Sequence, residues 1–78
     1  MRYRAWVDAS GDYIETNWFV RSIEAIFAEI GYMNRPSVIR KRYEETYDVK
    51  LVFDEQYFIT AVDFRSRDHA TEFILRWT

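Results

Sequence analysis

The chain has no cysteine, one proline, two glycines and a single histidine in its 78 residues. Without cysteine it can hold no disulfide and no thiolate metal site, and it can run no thiol chemistry. That suits a reducing compartment. So little glycine and proline argues against a disordered chain and against long loops. Gly11 and Gly31 fall in no phosphate-cradling motif, and such loops need glycine where the backbone must approach an anion. No apolar run nears the roughly 20 residues that cross a bilayer. The first segment, MRYRAWVDASGD, has no apolar stretch of signal-peptide type. These absences lead to the expectation of a cytoplasmic protein with no membrane contact. The charges nearly balance at a net −2, so there is no general attraction to nucleic acid or anionic lipid.

What the chain does have is aromatic side chains: six Tyr, six Phe and three Trp. Residues 1–78 make one domain, and a domain of this size buries only about 60–65 % of its unfolded surface. Each buried aromatic removes about 150–250 Å² from water, so fifteen exceed what one thin two-layer core uses. Trp6, Tyr13, Tyr32, Tyr43 and Tyr57 are the candidates left for an interface. Aromatics and arginine are the residues enriched at interface centres. A symmetric homodimer is the commonest way to cover such a surface.

The spacing predicts the elements. Tyr3, Ala5 and Val7 alternate with Arg2, Arg4, Trp6 and Asp8, which is strand periodicity and puts Trp6 on the charged face. Ile14, Trp18, Phe19, Ile23, Ile26, Phe27 and Ile30 follow helical spacing. Asp12 with Glu15 forms a capping-box-like start and Gly31 a natural stop. One helix from Tyr13 to Ile30 is the expectation; the rival is a strand over YIETNWFV with a helix from Ser22. Pro36 breaks the chain at Arg35. SVIRKRYE reads as a strand, YDVKLVFD as another, and YFITAVDF as a central strand apolar on both sides. Asp54-Glu55-Gln56 makes the short loop between the last two, although it lacks the usual glycine. Ser66 then caps a helix whose stripe is Ala70, Phe73, Ile74 and Trp77. The expected fold class is α+β: a four-stranded, mainly antiparallel sheet with two helices on one face, in the order β-α-β-β-β-α. That is a relative of the ferredoxin-like fold.

Little in the chain has the pattern of chemistry. His69 stands beside Asp68 and one turn from Glu72, but neighbours on a helix do not face each other, and no nucleophile with a supporting base accompanies it. Glu44, Glu45 and Asp48, and again Asp54 and Glu55, cluster at turns without the spacing or the glycine of a calcium loop. They read as solubilising turn residues. No catalytic residue, metal site or cofactor is expected. The one asymmetry is basic: Arg35, Arg40, Lys41 and Arg42, followed by Tyr43. Guanidinium groups grip phosphate, and aromatics on a sheet stack on bases. With Trp6 these residues form an alternative, nucleic-acid-binding surface. The competing explanation is pairing with the acidic EETYD turn that follows.

Phe64, Ala70, Phe73, Leu75 and Trp77 match a strand followed by a helix of the pattern F-x-x-x-x-x-A-x-x-F-x-L-x-W. In this C-terminal part alone the chain resembles small uncharacterised proteins of myovirus-type tailed bacteriophages. The resemblance implies a viral accessory protein acting on a factor in the host cytoplasm, and it carries over no catalytic residue. The sequence thus reads first as a small non-enzymatic, self-associating protein-interaction or regulatory module. A nucleic-acid-binding regulator comes second, and an enzyme built around His69 or the acidic turns last.

Overall fold

The computed structural model describes residues 1–7, 10–12 and 17–78. In chain order it runs β1 (Arg2–Arg4), α1 (Trp18–Ile30), α2 (Pro36–Tyr47), β2 (Lys50–Phe53), β3 (Ile59–Asp63) and α3 (Arg67–Arg76). The described strands form one antiparallel three-stranded sheet in the order β1-β3-β2. The class is α+β. The expected four strands with two helices are corrected to three strands with three helices, and the ferredoxin-like relationship goes with them.

The correction falls on one segment. PSVIRKRYEETY is the helix α2, where a strand was expected. Val38 and Ile39 suggest alternation, but Ile39, Tyr43 and Tyr47 also recur every fourth residue, which is one face of a helix. Pro36 takes the first helical position, where a missing N–H costs nothing and the fixed φ helps. Arg40 bonds Glu44 one turn on, Nε to Oε2, at 3.2 Å. Asp48 closes the helix in the left-handed region at φ 57°, its N–H donating to Glu44 O.

Asn17 sets the start of α1. Its backbone is extended, and its side-chain oxygen accepts from Val20 N at 2.8 Å. The helix therefore begins at Trp18, not Tyr13. Trp18, Phe19 and Val20 are helical, against the rival strand; residues 13–16, with the Glu15 half of the expected capping box, lie outside the described residues. Gly31 ends α1 as expected, at φ 93° with its N–H on Phe27 O. Ser66 caps α3, accepting from His69 N at 3.1 Å. His69 Nδ1 in turn accepts from Arg65 N at 3.4 Å. The histidine thus reaches back to the residue before the cap, which ties it to the helix end.

In the register, Tyr3 and Leu51 both lie opposite Val62. Opposed residues share a face, and this face meets the helices. Val62 and Leu51 are buried against Phe19, Ile23 and Ile26 of α1, Tyr43 of α2, and Ala70 and Phe73 of α3. The other face carries the row Arg2, Asp63 and Lys50. Arg2 grips Asp63 with Nε at 2.9 Å and Nη2 at 3.1 Å. That bond holds the Asp63 carboxyl below its ordinary 3.8.

Tyr43 is fully buried at the centre of the helices. Its hydroxyl lies 2.7 Å from Ser22 Oγ, Ser22 Oγ donates to Phe19 O at 2.8 Å, and Tyr47 Oη donates to Ser22 O at 3.1 Å. Since the Ser22 proton goes to Phe19, Tyr43 is the donor in their pair. Burial pushes the Tyr43 hydroxyl well above the ordinary phenol range, and Tyr47 upward in the same sense. No described helix is long and apolar enough to cross a membrane.

Candidate protein-binding groove

The β2–β3 connection is built by Asp54. Its Oδ1 accepts from Gln56 N at 2.8 Å and Phe58 N at 3.0 Å. Its backbone O accepts from Tyr57 N at 3.1 Å, and its N–H donates to Phe58 O at 2.9 Å. This is a three-residue hairpin loop, Glu55–Tyr57, whose last position takes the left-handed conformation ordinarily filled by glycine. Here it is Tyr57, at φ 64°. The turn holds two aromatic rings in the open: Tyr57 is 74 % exposed and Phe58 67 %.

Facing this tip is the first turn of α2. Between them runs an open groove of about 460 Å³ lined by Arg35, Pro36, Ser37, Arg40, Phe53, Asp54 and Tyr57. It continues over the shared residues Pro36, Phe53 and Tyr57 into a second hollow of about 210 Å³, which Trp6, Phe27, Ile39, Phe58 and Ile59 complete. Arg40 lies over the Phe53 ring at 5.3 Å, within cation–π range. Its position is fixed by Glu44, whose Oε2 also accepts from Leu51 N at 2.8 Å. The carboxylate thus caps an outward N–H of the edge strand β2 while it anchors the groove arginine.

Trp6 reaches the groove by leaving the strand. β1 stops at Arg4, and Trp6 takes a left-handed φ of 61°. That breaks the alternation which would have put it beside Arg2 and Arg4. Its ring instead stands edge-on to Phe19 at 4.6 Å, and its indole N–H donates to Ile59 O at 2.7 Å. Tyr32 joins from the α1–α2 turn, its ring 5.0 Å from Phe27. Tyr32 and its neighbour Met33 are exposed.

Of the interface candidates named from the sequence, Trp6, Tyr32 and Tyr57 thus belong to one connected surface. Tyr43 is a core residue and leaves both candidate sites, and Tyr13 lies outside the described residues. The basic run divides. Arg35 and Arg40 line the groove, while Lys41 and Arg42 line another depression with Ile30, Ser37, Val38 and Glu45. Arg42 is paired there with Glu29 at 2.6 Å. Consecutive helix residues point about 100° apart, so the run cannot make one face. Phe53, Phe58 and Pro36 were not singled out from the sequence. For Phe58 the signal was the loop DEQYF, where an Asp-led turn without glycine leaves two aromatics at the tip.

At the opposite end of α2, Arg65, His69, Glu72 and Arg76 surround a polar cleft with Asp48. Arg65 is paired with Asp48 at 3.0 Å, and His69 is engaged in its cap. That cleft is polar, whereas the groove sets Arg35, Arg40 and Asp54 among apolar walls. No protein-family model, curated protein or solved structure matches the chain.

Proposed function

We propose that this chain is a small protein-interaction module that binds through the groove between the α2 first turn and the β2–β3 tip. The observation that carries the reading is continuity: Tyr32, Phe27, Trp6, Phe53, Tyr57 and Phe58 form one surface flanked by two arginines. Rigid aromatics and arginine are what interface centres use. The left-handed Tyr57 supports the same reading, since backbone strain at an exposed position is kept where the side chain has a task. The C-terminal resemblance to phage accessory proteins agrees with a chain that works by binding protein.

A benzophenone side chain placed at Phe58, irradiated in the cells that make the protein, tests this directly. Covalent protein adducts are expected at Phe58 and not at Thr71, an exposed position on α3. Equal labelling at both positions would remove the groove from consideration.

A nucleic-acid-binding regulator is the second reading, favoured by Arg35 and Arg40 standing beside Phe53 and Tyr57. It keeps Arg35, Arg40 and Trp6 of the residues first named. Binding to mixed single-stranded RNA should then be strongest at low salt, where phosphate contacts count most. No binding there would sink it.

A further inference from the structure

We propose that the occupant of the groove is a second copy of this chain, docked about a two-fold axis so that each hairpin tip lies in the groove of the other. This rests on the groove being a protein surface and names the protein.

The argument is charge complementarity within a single patch. The α2 wall carries Arg35 and Arg40; the hairpin wall carries Asp54, whose Oδ1 accepts from Gln56 N and Phe58 N, and Glu55 follows it at an exposed position of the tip. Among the described residues, Arg35 and Glu55 have no ion-pair partner, and Arg40 commits only its Nε, to Glu44. A foreign acidic segment, or a phosphate backbone, would satisfy the arginines and be repelled by the hairpin. A basic segment would meet the reverse. The occupant must carry both signs with apolar rings between them, and the patch itself does. A two-fold interface requires this self-complementarity, because residue i of one copy meets residue j of the other and j meets i. The rotation brings the positive wall of each copy to the negative wall of its partner. It also places the exposed pair Tyr57 and Phe58 where the open groove of about 460 Å³ can receive them. The gain is large for a small domain, which has few other ways to bury its aromatic surface.

Light scattering over a concentration series provides the test. The wild-type mass should rise from 9.6 kDa towards twice that value by about 1 mM, a concentration at which even a Kd of ~1 mM is visible. Arg35→Glu and Glu55→Arg sit at exposed positions and should keep the wild-type circular dichroism and Tm. Each should weaken association about tenfold or more, because each homodimer then opposes like charges twice. Mixing the two variants should restore wild-type association, since in the mixed dimer both pairs are again opposite in sign. A wild-type mass of one chain at every concentration overturns the proposal. So does wild-type association in both variants, or a mixture no stronger than its components. A monomeric wild type that still gives Phe58 adducts to another protein would overturn this proposal and leave the groove reading standing.

Discussion

Tyr57 occupies a backbone conformation that costs an L-residue roughly 1–2 kcal/mol relative to glycine, and the Asp54 turn holds it there. Tyr57→Gly should therefore raise stability by about 1 kcal/mol in urea unfolding while it weakens association. Gains in both would mean that the ring has no task. Tyr43 gives the opposite case, a polar group placed where only its shape and one hydrogen bond are wanted. Tyr43→Phe should cost about 1 kcal/mol, one buried hydrogen bond with the Ser22 acceptor left unfilled. It should also change the alkaline limb. Burial raises the folded-state value of this hydroxyl above that of the unfolded chain. Its contribution is then fully present below the unfolded phenol value near 10, and is lost as pH rises towards the folded value. The wild type should lose stability above about pH 10 more steeply than the phenylalanine variant; parallel limbs in denaturant titrations would contradict this.

Between elements, Glu44 is the joint. It takes Arg40 Nε and Leu51 N on one carboxylate oxygen, so Glu44→Ala exposes the β2 edge and frees the groove arginine together. The expected loss is about 1–3 kcal/mol, the cost of an orphaned donor. The Leu51 amide should exchange hydrogen faster than those of β3. Unchanged exchange at Leu51 would show that the edge is protected by something else. How well the elements were legible follows from how many signals each one carried. α3 had a cap, a first-turn acid and a stripe in agreement, and it is where the spacing put it. Gly31 ended α1, and β3 proved central. α2 was missed because Val38 to Tyr43 fits a period of two as well as a spacing of four. Only tertiary packing of Ile39, Tyr43 and Tyr47 on one side decides between them. Trp6 was assigned to the wrong face because nothing in RYRAWVD announces a left-handed residue; an aromatic there is sterically disfavoured. In the groove, Tyr32 and Tyr57 were legible as surplus aromatics. The arginines became legible only once a helix separated Arg40 from Lys41 and Arg42.

At the scale of the molecule, the sheet is tied at its outer face by Arg2 and Asp63. The hydrogen bond from Arg2 lowers the folded-state value of the carboxyl, aided by the nearby amino terminus and Lys50. Its contribution is present above the unfolded value near 4 and is lost as pH falls through the lowered folded value. The wild type should lose this part of its stability below about pH 4, and Asp63→Asn should show a flatter acid limb in thermal unfolding. The effect is small, because the pair is exposed. The position of β3 has a consequence in time as well. β1 pairs with no described strand but β3, and two helices and β2 lie between them in the chain. A ribosome delivers β1 long before its partner exists. The β2–β3 hairpin can close locally, whereas β1 must wait and close the longest loop last. Tyr3, partly buried on Phe64, should then contribute nothing to the rate-limiting step of folding. Tyr3→Ala is expected to speed unfolding and leave the refolding rate within about twofold, a φ-value near zero. A slowed refolding limb would place β1 in the nucleus instead. With φ near zero, β1, the earliest of the described strands in the chain, is the last to matter, and until it docks one edge of β3 stays unpaired and open to other chains.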